Sequence, residues 1–324
     1  MTKTNIPYRE ARDLLLSMVG PLSEPERIPL EQAAGRILAE RLIASGDVPP
    51  FDKSPYDGYA FRAEDTAEAS QETPVTLRIL EEVAAGGMWK EPLRSGTATK
   101  ILTGAPLPPG ADAVTKYEDT AFTEYSVTIH SSFRSGDNVV TRGEDVCQGD
   151  LLAEAGTAID SALLGSLAAQ HVTEPLVYRV PTVGMITTGN ELAEPGEKLS
   201  GGKIVNTNKY TFLAVLKQEG CSPVIYPSPG DDPGKIAEQM DRALTECDLV
   251  ITTGGVSVGD YDFTPDALVR AGAEMLIRKV QLKPGGASCY GIRGGKLLCC
   301  LSGNPASALV NFYAVVLPAI RRLR

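Results

Sequence analysis

From Thr182 onward, short apolar runs alternate with amphipathic stretches, and the runs close on glycine-bearing turns. VGMITTG reads as a buried strand, residues 207–219 as a helix with Phe212, Leu213 and Leu216 turned inward, and SPVIYPS as the next strand. DPGKIAEQMDRALTEC then reads as a helix and DLVITTGG as a strand. After TPDALVRAG, the runs EMLIRKVQL and KLLCCLSG supply further strands, and a last helix opens with Asn304 as its cap and Pro305 as its first residue. Strands separated by helices require crossover connections, which give a mostly parallel sheet covered on both faces. The expectation is an α/β sandwich domain over residues 179–324.

The first half reads differently. Residues 8–19 place Ala11, Leu14, Leu15, Met18 and Val19 on one helical face, and Leu30 to Leu42 repeats the helical period after Pro29. From Asp47 the proline- and glycine-rich DVPPFDKSPYDGYAF leads into PVTLRILEEV and SVTIHSSF, short runs of strand character. A chain of 324 residues is long for one hydrophobic core. The expected class is therefore multidomain α/β. Residues 1–46 and 141–178 form an elongated α+β domain whose amphipathic helices suit dimerisation, residues 47–140 a β-rich insertion, and residues 179–324 the α/β domain.

Charge and side-chain inventory narrow the chemistry. Forty-one acidic against 31 basic residues leave a net charge of -10, which repels nucleic acid and anionic membrane surfaces. An anionic ligand must be held by local donors. No apolar run approaches the ~18 residues of a bilayer span, and the amino terminus is unlike a signal peptide, so a cytoplasmic location is expected. The six cysteines show no CxxC spacing and read as buried free thiols. With only His130 and His171 in the chain, a histidine-rich zinc site or a Ser-His-Asp triad has few possible bases, and both histidines read as structural.

In an open α/β sheet, ligands bind beyond the carboxyl ends of the strands. Those loops read TTGNE, SPGDD, TTGGVSVGDYD and LSGNPAS, and every one contains glycine. Any one alone is an ordinary strand-to-helix turn, and neither GxGxxG nor GxxxxGK[ST] occurs. Four together suit a phosphate or similar oxyanion, because glycine lets backbone amides approach closely. The same loops carry Glu191, Asp231, Asp232, Asp260 and Asp262, hard oxygen ligands of the kind magnesium takes alongside phosphate oxygens. Asp231 and Asp232 serve equally well as helix caps and Asp260 as a solvated turn residue, which leaves Glu191 and Asp262 as the better metal ligands. Lys279 and Lys283, four apart, would share one face of a strand and could meet an oxyanion together. Ser257, Ser302 and Ser307 are further donors or simple caps. A second cluster, SPYDGYAF and ILTGAPLPPGADAV, carries Tyr56, Asp57, Tyr59, Phe61, Thr103 and Asp112. A rigid turn packed on tyrosines accounts for it as well as a ligand site does.

Taken in order, SPYDGYAF, TGAPLPPGADAV, RGEDV, TTGNEL, IVNTN, GDDP, TTGGVSVGDYD, KPGG and LSGNPAS resemble the MoeA family over nearly the whole chain. These are molybdopterin molybdenumtransferases related to the carboxyl-terminal part of gephyrin. The resemblance implies an elongated homodimer whose α/β domain, of the molybdopterin-binding type, takes adenylylated molybdopterin. With Mg2+ and molybdate such a protein would cleave the adenylate, leave molybdenum on the dithiolene sulfurs and release AMP; contact with the adenylylating pathway enzyme is also implied. Carried over, Asp57 and Thr103 match functional positions of the DGYA and TGAP motifs and Asp145 the RGED carboxylate. Glu191, Asp231 or Asp232, and Asp262 match acidic positions that handle metal and phosphate, and Lys279 and Lys283 the basic pair. Gly254, Gly255 and Ser257 match the phosphate loop, and Asn304 and Pro305 the final turn. Several positions depart from the family. Ser302 and Ala287 replace prolines, which implies looser loops, and Asn190 and Asn206 replace Asp. The family usually continues into a small β-rich fourth domain, which would lie past Arg324, the last residue of this sequence. A non-catalytic pterin-binding or scaffold protein, and a nucleotidyltransferase acting on the pterin phosphate, are the alternative readings.

Overall fold

A computed structural model describes residues 2–87, 89, 91–256 and 263–324. They form two compact units: Met1–Ala39, Gly156–Asp160 and Glu174–Arg324 make the first, Glu40–Ala155 and Ser161–Thr173 the second.

The first unit is built on seven strands, β1 (Lys3–Pro7), β2 (Thr182–Thr187), β3 (Ser222–Ile225), β4 (Leu249–Thr253), β5 (Glu274–Gln281), β6 (Cys289–Arg293) and β7 (Lys296–Leu301). They lie in the order β1-β5-β6-β7-β4-β2-β3. Strands β3, β2, β4 and β7 are mutually parallel, β6 runs antiparallel to both β7 and β5, and β1 is parallel to β5. The helices are α1 (Tyr8–Met18), α2 (Thr207–Gln218), α3 (Pro233–Glu246), α4 (Thr264–Arg270), α5 (Pro305–Asn311) and α6 (Leu317–Leu323), the last two joined through a π-turn at Phe312–Val316.

Period-two alternation divides each central strand between two cores. Val183 and Met185 of β2 and Leu249 and Ile251 of β4 pack with Leu15, Phe212, Phe312 and Ile320. Ile186 and Val250 face the other way, onto Ile236, Met240, Leu244 and Leu268. Gly184 is a packing requirement, since a Cβ there would stand 3.2–3.3 Å from Tyr226, Ala243 and Cys247, the surface on which α3 lies against the sheet. At the amino-terminal edge, Asp248 accepts hydrogen bonds from Arg179 Nη1 and Nη2 at 2.6 and 2.8 Å and from the Thr182 amide at 2.8 Å.

The second unit holds a six-stranded, mostly antiparallel sheet in the order Ala113–Lys116, Gly58–Phe61, Thr97–Ile101, Val75–Val83, Ser126–Ile129, Thr120–Phe122. Tyr59, Phe61, Leu77 and Ile129 fill one face and Ala60, Val83, Ile101 and Val114 the other. This is the β-rich character expected after Asp47.

Four expectations need correction. Leu30 to Leu42 is not a helix: only Leu30–Gln32 makes a 3-10 turn. Gly35 at φ 76° turns the chain, and Ile37 and Leu38 are taken up by neighbours, with Leu38 N donating to Thr157 O and Tyr178 N to Ile37 O at 2.9 Å each. Long-range pairing outweighs helical periodicity here. The inward face expected at α1 holds for Ala11, Leu15 and Val19, which are in the core, and for Leu14, which packs against it, but Met18, at the helix end, is 37% exposed. Cys147 is exposed, whereas the other five cysteines are buried thiols as expected. Finally, Pro305–Leu323 runs as 19 helical residues with a hydropathy of 1.2, long and apolar enough by composition to cross a membrane. Half of it is buried, with Phe312, Val315, Val316, Ala319, Ile320 and Leu323 in the core, so its apolarity serves packing.

Candidate active site

The turns at the carboxyl edge of the first unit touch in sequence, and at Gly254 and Gly285 the approach of neighbouring backbone leaves no room for a side chain. At one end, Asn190 and Asp231 clasp each other: Asn190 N donates to Asp231 Oδ2 at 2.9 Å and Asp231 N to Asn190 Oδ1 at 3.3 Å. This explains asparagine at 190, because an Asp there would set two carboxylates against each other. Asp232 instead caps α3, accepting from the Gly234 and Lys235 amides at 2.8 and 3.1 Å, and those two bonds hold its carboxyl below the usual range. Of the two readings left open for this aspartate, the cap is the one its side chain fulfils.

The next contact joins the TTGNE turn to the TTGG turn. Thr188 N donates to Thr253 O at 2.9 Å, and a Cβ on Gly254 (φ 103°) would lie 2.5 Å from Thr188 O and Oγ1. Gly255 abuts Thr264, whose hydroxyl donates to Gly254 O at 3.0 Å. Gly254 also faces Gly303 of the LSGNP turn, where a Cβ would stand 3.5 Å from the Gly254 Cα, and Asn208 Nδ2 ties Gly303 O to α2 at 2.8 Å. Asn304 caps α5 by accepting from Ser307 N at 3.1 Å, with Pro305 at its first turn. Ser302 Oγ accepts from Asn304 N at 3.2 Å, so the serine that replaces proline still braces this turn. Asn206 caps α2 and donates to Thr187 Oγ1 at 2.8 Å, where an ionised Asp could only accept from the hydroxyl.

At the other end, the KPGG turn rests on α5. Fully buried Asn311 donates to Gly285 O at 2.7 Å and accepts from Tyr290 Oη at 2.6 Å, and a Cβ on Gly285 would strike Ser307 O at 2.8 Å. Lys279 and Lys283 line one concavity of about 610 Å3 at this turn. They do not share a strand face as expected, because β5 ends at Gln281 and Lys279 has φ 69°, which breaks the alternation. Between the strand carrying Lys279 and the strand leading to Glu191 lie four inter-strand spacings, roughly 19 Å at ~4.8 Å each. The two ends of the row therefore cannot grip the same small group.

Glu191 is exposed, and its carboxylate has no hydrogen-bond partner among the described residues. Among the described residues no three His, Cys, Asp or Glu side chains gather tightly enough to hold a metal alone. One open carboxylate is a donor of the kind Mg2+ takes, since that ion keeps several waters and uses one or two carboxylates plus phosphate oxygens. Ser257, Asp260 and Asp262 lie outside the described residues.

In the second unit, Asp57 Oδ1 accepts from Thr103 N and Oγ1, both at 2.7 Å. The backbone amide first and the hydroxyl second lower its pKa, so the carboxyl stays ionised. The DGYA and TGAP turns are thus joined across 46 positions. Asp112 accepts from Ala63 N at 2.7 Å, and Tyr59 and Phe61 are core residues, as the rigid-turn reading expects. Asp145 is exposed in a turn whose amide donates to Val48 O at 3.0 Å. Thr188, Asn208 and Asn311 escaped the sequence reading. The IVNTN run hinted at Asn208, but nothing in the sequence marked Asn311.

A doubly covered sheet with a row of glycine turns along its carboxyl edge defines an open-sheet α/β protein of the class whose ligand sites lie at that edge. Comparison with known proteins gives the family. Residues 6–170 match the MoeA N-terminal region (domain I and II), and residues 184–322 match a probable molybdopterin binding domain. A molybdopterin molybdenumtransferase of Staphylococcus epidermidis is 40% identical over 296 residues, covering 91% of this chain and 71% of the relative. One of Staphylococcus aureus is 34% identical over 318 residues, covering 98% and 76%. The crystal structure of the molybdopterin biosynthesis MoeA protein of Pyrococcus horikoshii superposes with a TM-score of 0.84 at 32% identity, covering 98% of this chain and 80% of that one. The chain belongs to the MoeA family, that of the molybdopterin molybdenumtransferases.

Proposed function

We infer that this chain transfers molybdenum to molybdopterin, taking the pterin as its adenylate together with molybdate and releasing AMP. The observation that carries the reading is the continuous row of turns from Asp231 through Gly254 and Gly303 to Gly285. An adenylylated pterin is long enough to lie along such a row, and its phosphates need what the row offers: closely approachable backbone amides and, at one end, two lysines. Cleaving a phosphoanhydride develops charge on oxygen atoms, so charge neutralisation and positioning matter more than a covalent nucleophile.

In this mechanism the glycine turns orient the phosphates and Asn304 holds the last turn in place. Lys279 and Lys283 receive an oxyanion at the KPGG end. Glu191, with Asp262, would hold Mg2+, which supplies neutralisation of phosphate charge when bound. Asp57, kept ionised by Thr103, and Asp145 are assigned to the same reaction from their motif positions. A homodimer, contact with the adenylylating enzyme of the pathway and a cytoplasmic location complete the proposal.

The braced Ser302 turn and the Asn311-tied KPGG turn favour catalysis over a scaffold role, because the two lost prolines have not left these loops without support. The test is incubation of the chain with adenylylated molybdopterin, molybdate and Mg2+. AMP should appear in step with molybdenum cofactor, and Glu191→Gln should lower the rate at least about tenfold. Tight pterin binding without AMP release would refute the reading in favour of the scaffold.

A further inference from the structure

The amino-terminal strand forms part of the wall of the lysine cavity. β1 runs parallel to β5 with Thr4 opposite Arg278 and Ile6 opposite Val280, so Asn5 and Lys279 stand opposite each other. Both have left-handed backbones, φ 52° for Asn5 and 69° for Lys279, and these are two of only four such non-glycine residues among the described residues. Left-handed residues are costly inside a ladder and persist where the surroundings hold them, often at ligand sites. Gln281 Nε2 donates to Asn5 O at 2.8 Å and fixes the strand there. Asn5, Lys279, Gln281 and Lys283 line the same concavity, and among the described residues no carboxylate does. Among the described residues, the Lys279 and Lys283 ammonium groups and the Asn5 side-chain amide have no hydrogen-bond partner.

We propose that Asn5 is an oxyanion-recognition residue, its side-chain amide donating to the tetrahedral anion that Lys279 and Lys283 neutralise. This rests on the reading of the lysine cavity given above. Two ammonium groups supply charge but little geometry, whereas a planar amide adds a directed donor. The anion is either molybdate or the phosphate of the substrate's nucleotide half, which share this chemistry.

The test is calorimetric titration of the full chain, separately with molybdate and with AMP. Lys283→Gln should weaken one of the two ligands at least tenfold and thereby name the source. For that ligand Asn5→Gly, which keeps the left-handed backbone available, should weaken binding about tenfold, as loss of a hydrogen bond to a charged group implies. Asn5→Asp should weaken it further, and the unfolding temperature of Asn5→Gly should not fall. Were Asn5 only a turn residue, Asn5→Gly would bind as well as the parent, and that result overturns the proposal by itself. If Lys283→Gln leaves both affinities unchanged, or neither ligand binds, the lysine reading fails and the role of Asn5 falls with it.

Discussion

Replacing Asn311 by Leu probes the link between the buried core and the lysine turn. Asn311 is 0% exposed, and its two hydrogen bonds, from Tyr290 Oη at 2.6 Å and to Gly285 O at 2.7 Å, are the only ones its side chain makes among the described residues. Tyr290 is itself fully buried, and burial pushes its phenol up, so the hydroxyl remains a donor across the physiological range. Leucine of similar volume leaves the Gly285 carbonyl unpaired and the hydroxyl with only Ser288 beside it, at about 1–3 kcal/mol each. Greater apolar burial returns about 1 kcal/mol. The net loss is about 3 kcal/mol, which in a unit of roughly 150–250 residues lowers the unfolding transition by about 6–12 °C. Tyr290→Phe should cost less, since it deletes one donor and leaves only the Asn311 carbonyl unpaired. The double variant should show a coupling of about 1 kcal/mol. Differential scanning calorimetry reads the stability, and steady-state AMP release reads the site, where a loosened KPGG turn should raise KM for the anionic substrate about fivefold. A transition moved by less than about 2 °C together with an unchanged KM would refute the idea that this amide supports the turn.

Asp248 gives the pH dependence. Burial acts to raise its pKa, but the Arg179 hydrogen bonds and the Thr182 amide overcome that and leave it lowered. Its contribution is therefore present above the unfolded carboxylate value of about 3.9 and is lost as pH falls through the lower folded value; Asp248→Asn should remove this acid limb from a plot of stability against pH. Gly254→Ala should abolish detectable transfer, because the new methyl meets Thr188 O at 2.5 Å on a backbone at φ 103°. Gly20→Ala, where nothing stands within 4 Å, is the matched control that should keep its rate. Of the six cysteines, only Cys147 should react with a thiol reagent at neutral pH before unfolding, since the other five are buried and Cys221 is pushed up to about 11 by burial. Labelling of a second thiol in the folded protein would contradict the packing described.

The α/β half was legible because both of its signals are local. Val183–Ile186 and Leu249–Ile251 are unbroken runs without a polar side chain, as strands buried on two faces tend to be. Asn304-Pro305 and Asp232-Pro233 announce helix starts through a cap and a proline whose missing N–H costs nothing there. The Leu30–Leu42 helix failed for the opposite reason: its period was helical, but the partners that extend it, Thr157 and Tyr178, lie more than a hundred residues away. The strand at Lys3–Pro7 was equally hidden, since TNIP has no strand pattern of its own and takes its form from β5.

The candidate site divides along the same line. Residue type and spacing alone placed glycines, carboxylates and lysines at strand ends, because the rule that ligands sit beyond carboxyl ends needs only the order of elements. Contacts between distant turns depend on strand order, which no local pattern encodes. Sheet topology put Gly254 beside both Thr188 and Gly303, gave Asn190 the Asp231 backbone to hold, set Glu191 four strands from Lys279, and brought Asn5 opposite that lysine. The chain carries its chemistry in its residues, but which of them share a ligand is a property of the long-range hydrogen-bonded ladder that arranges its strands.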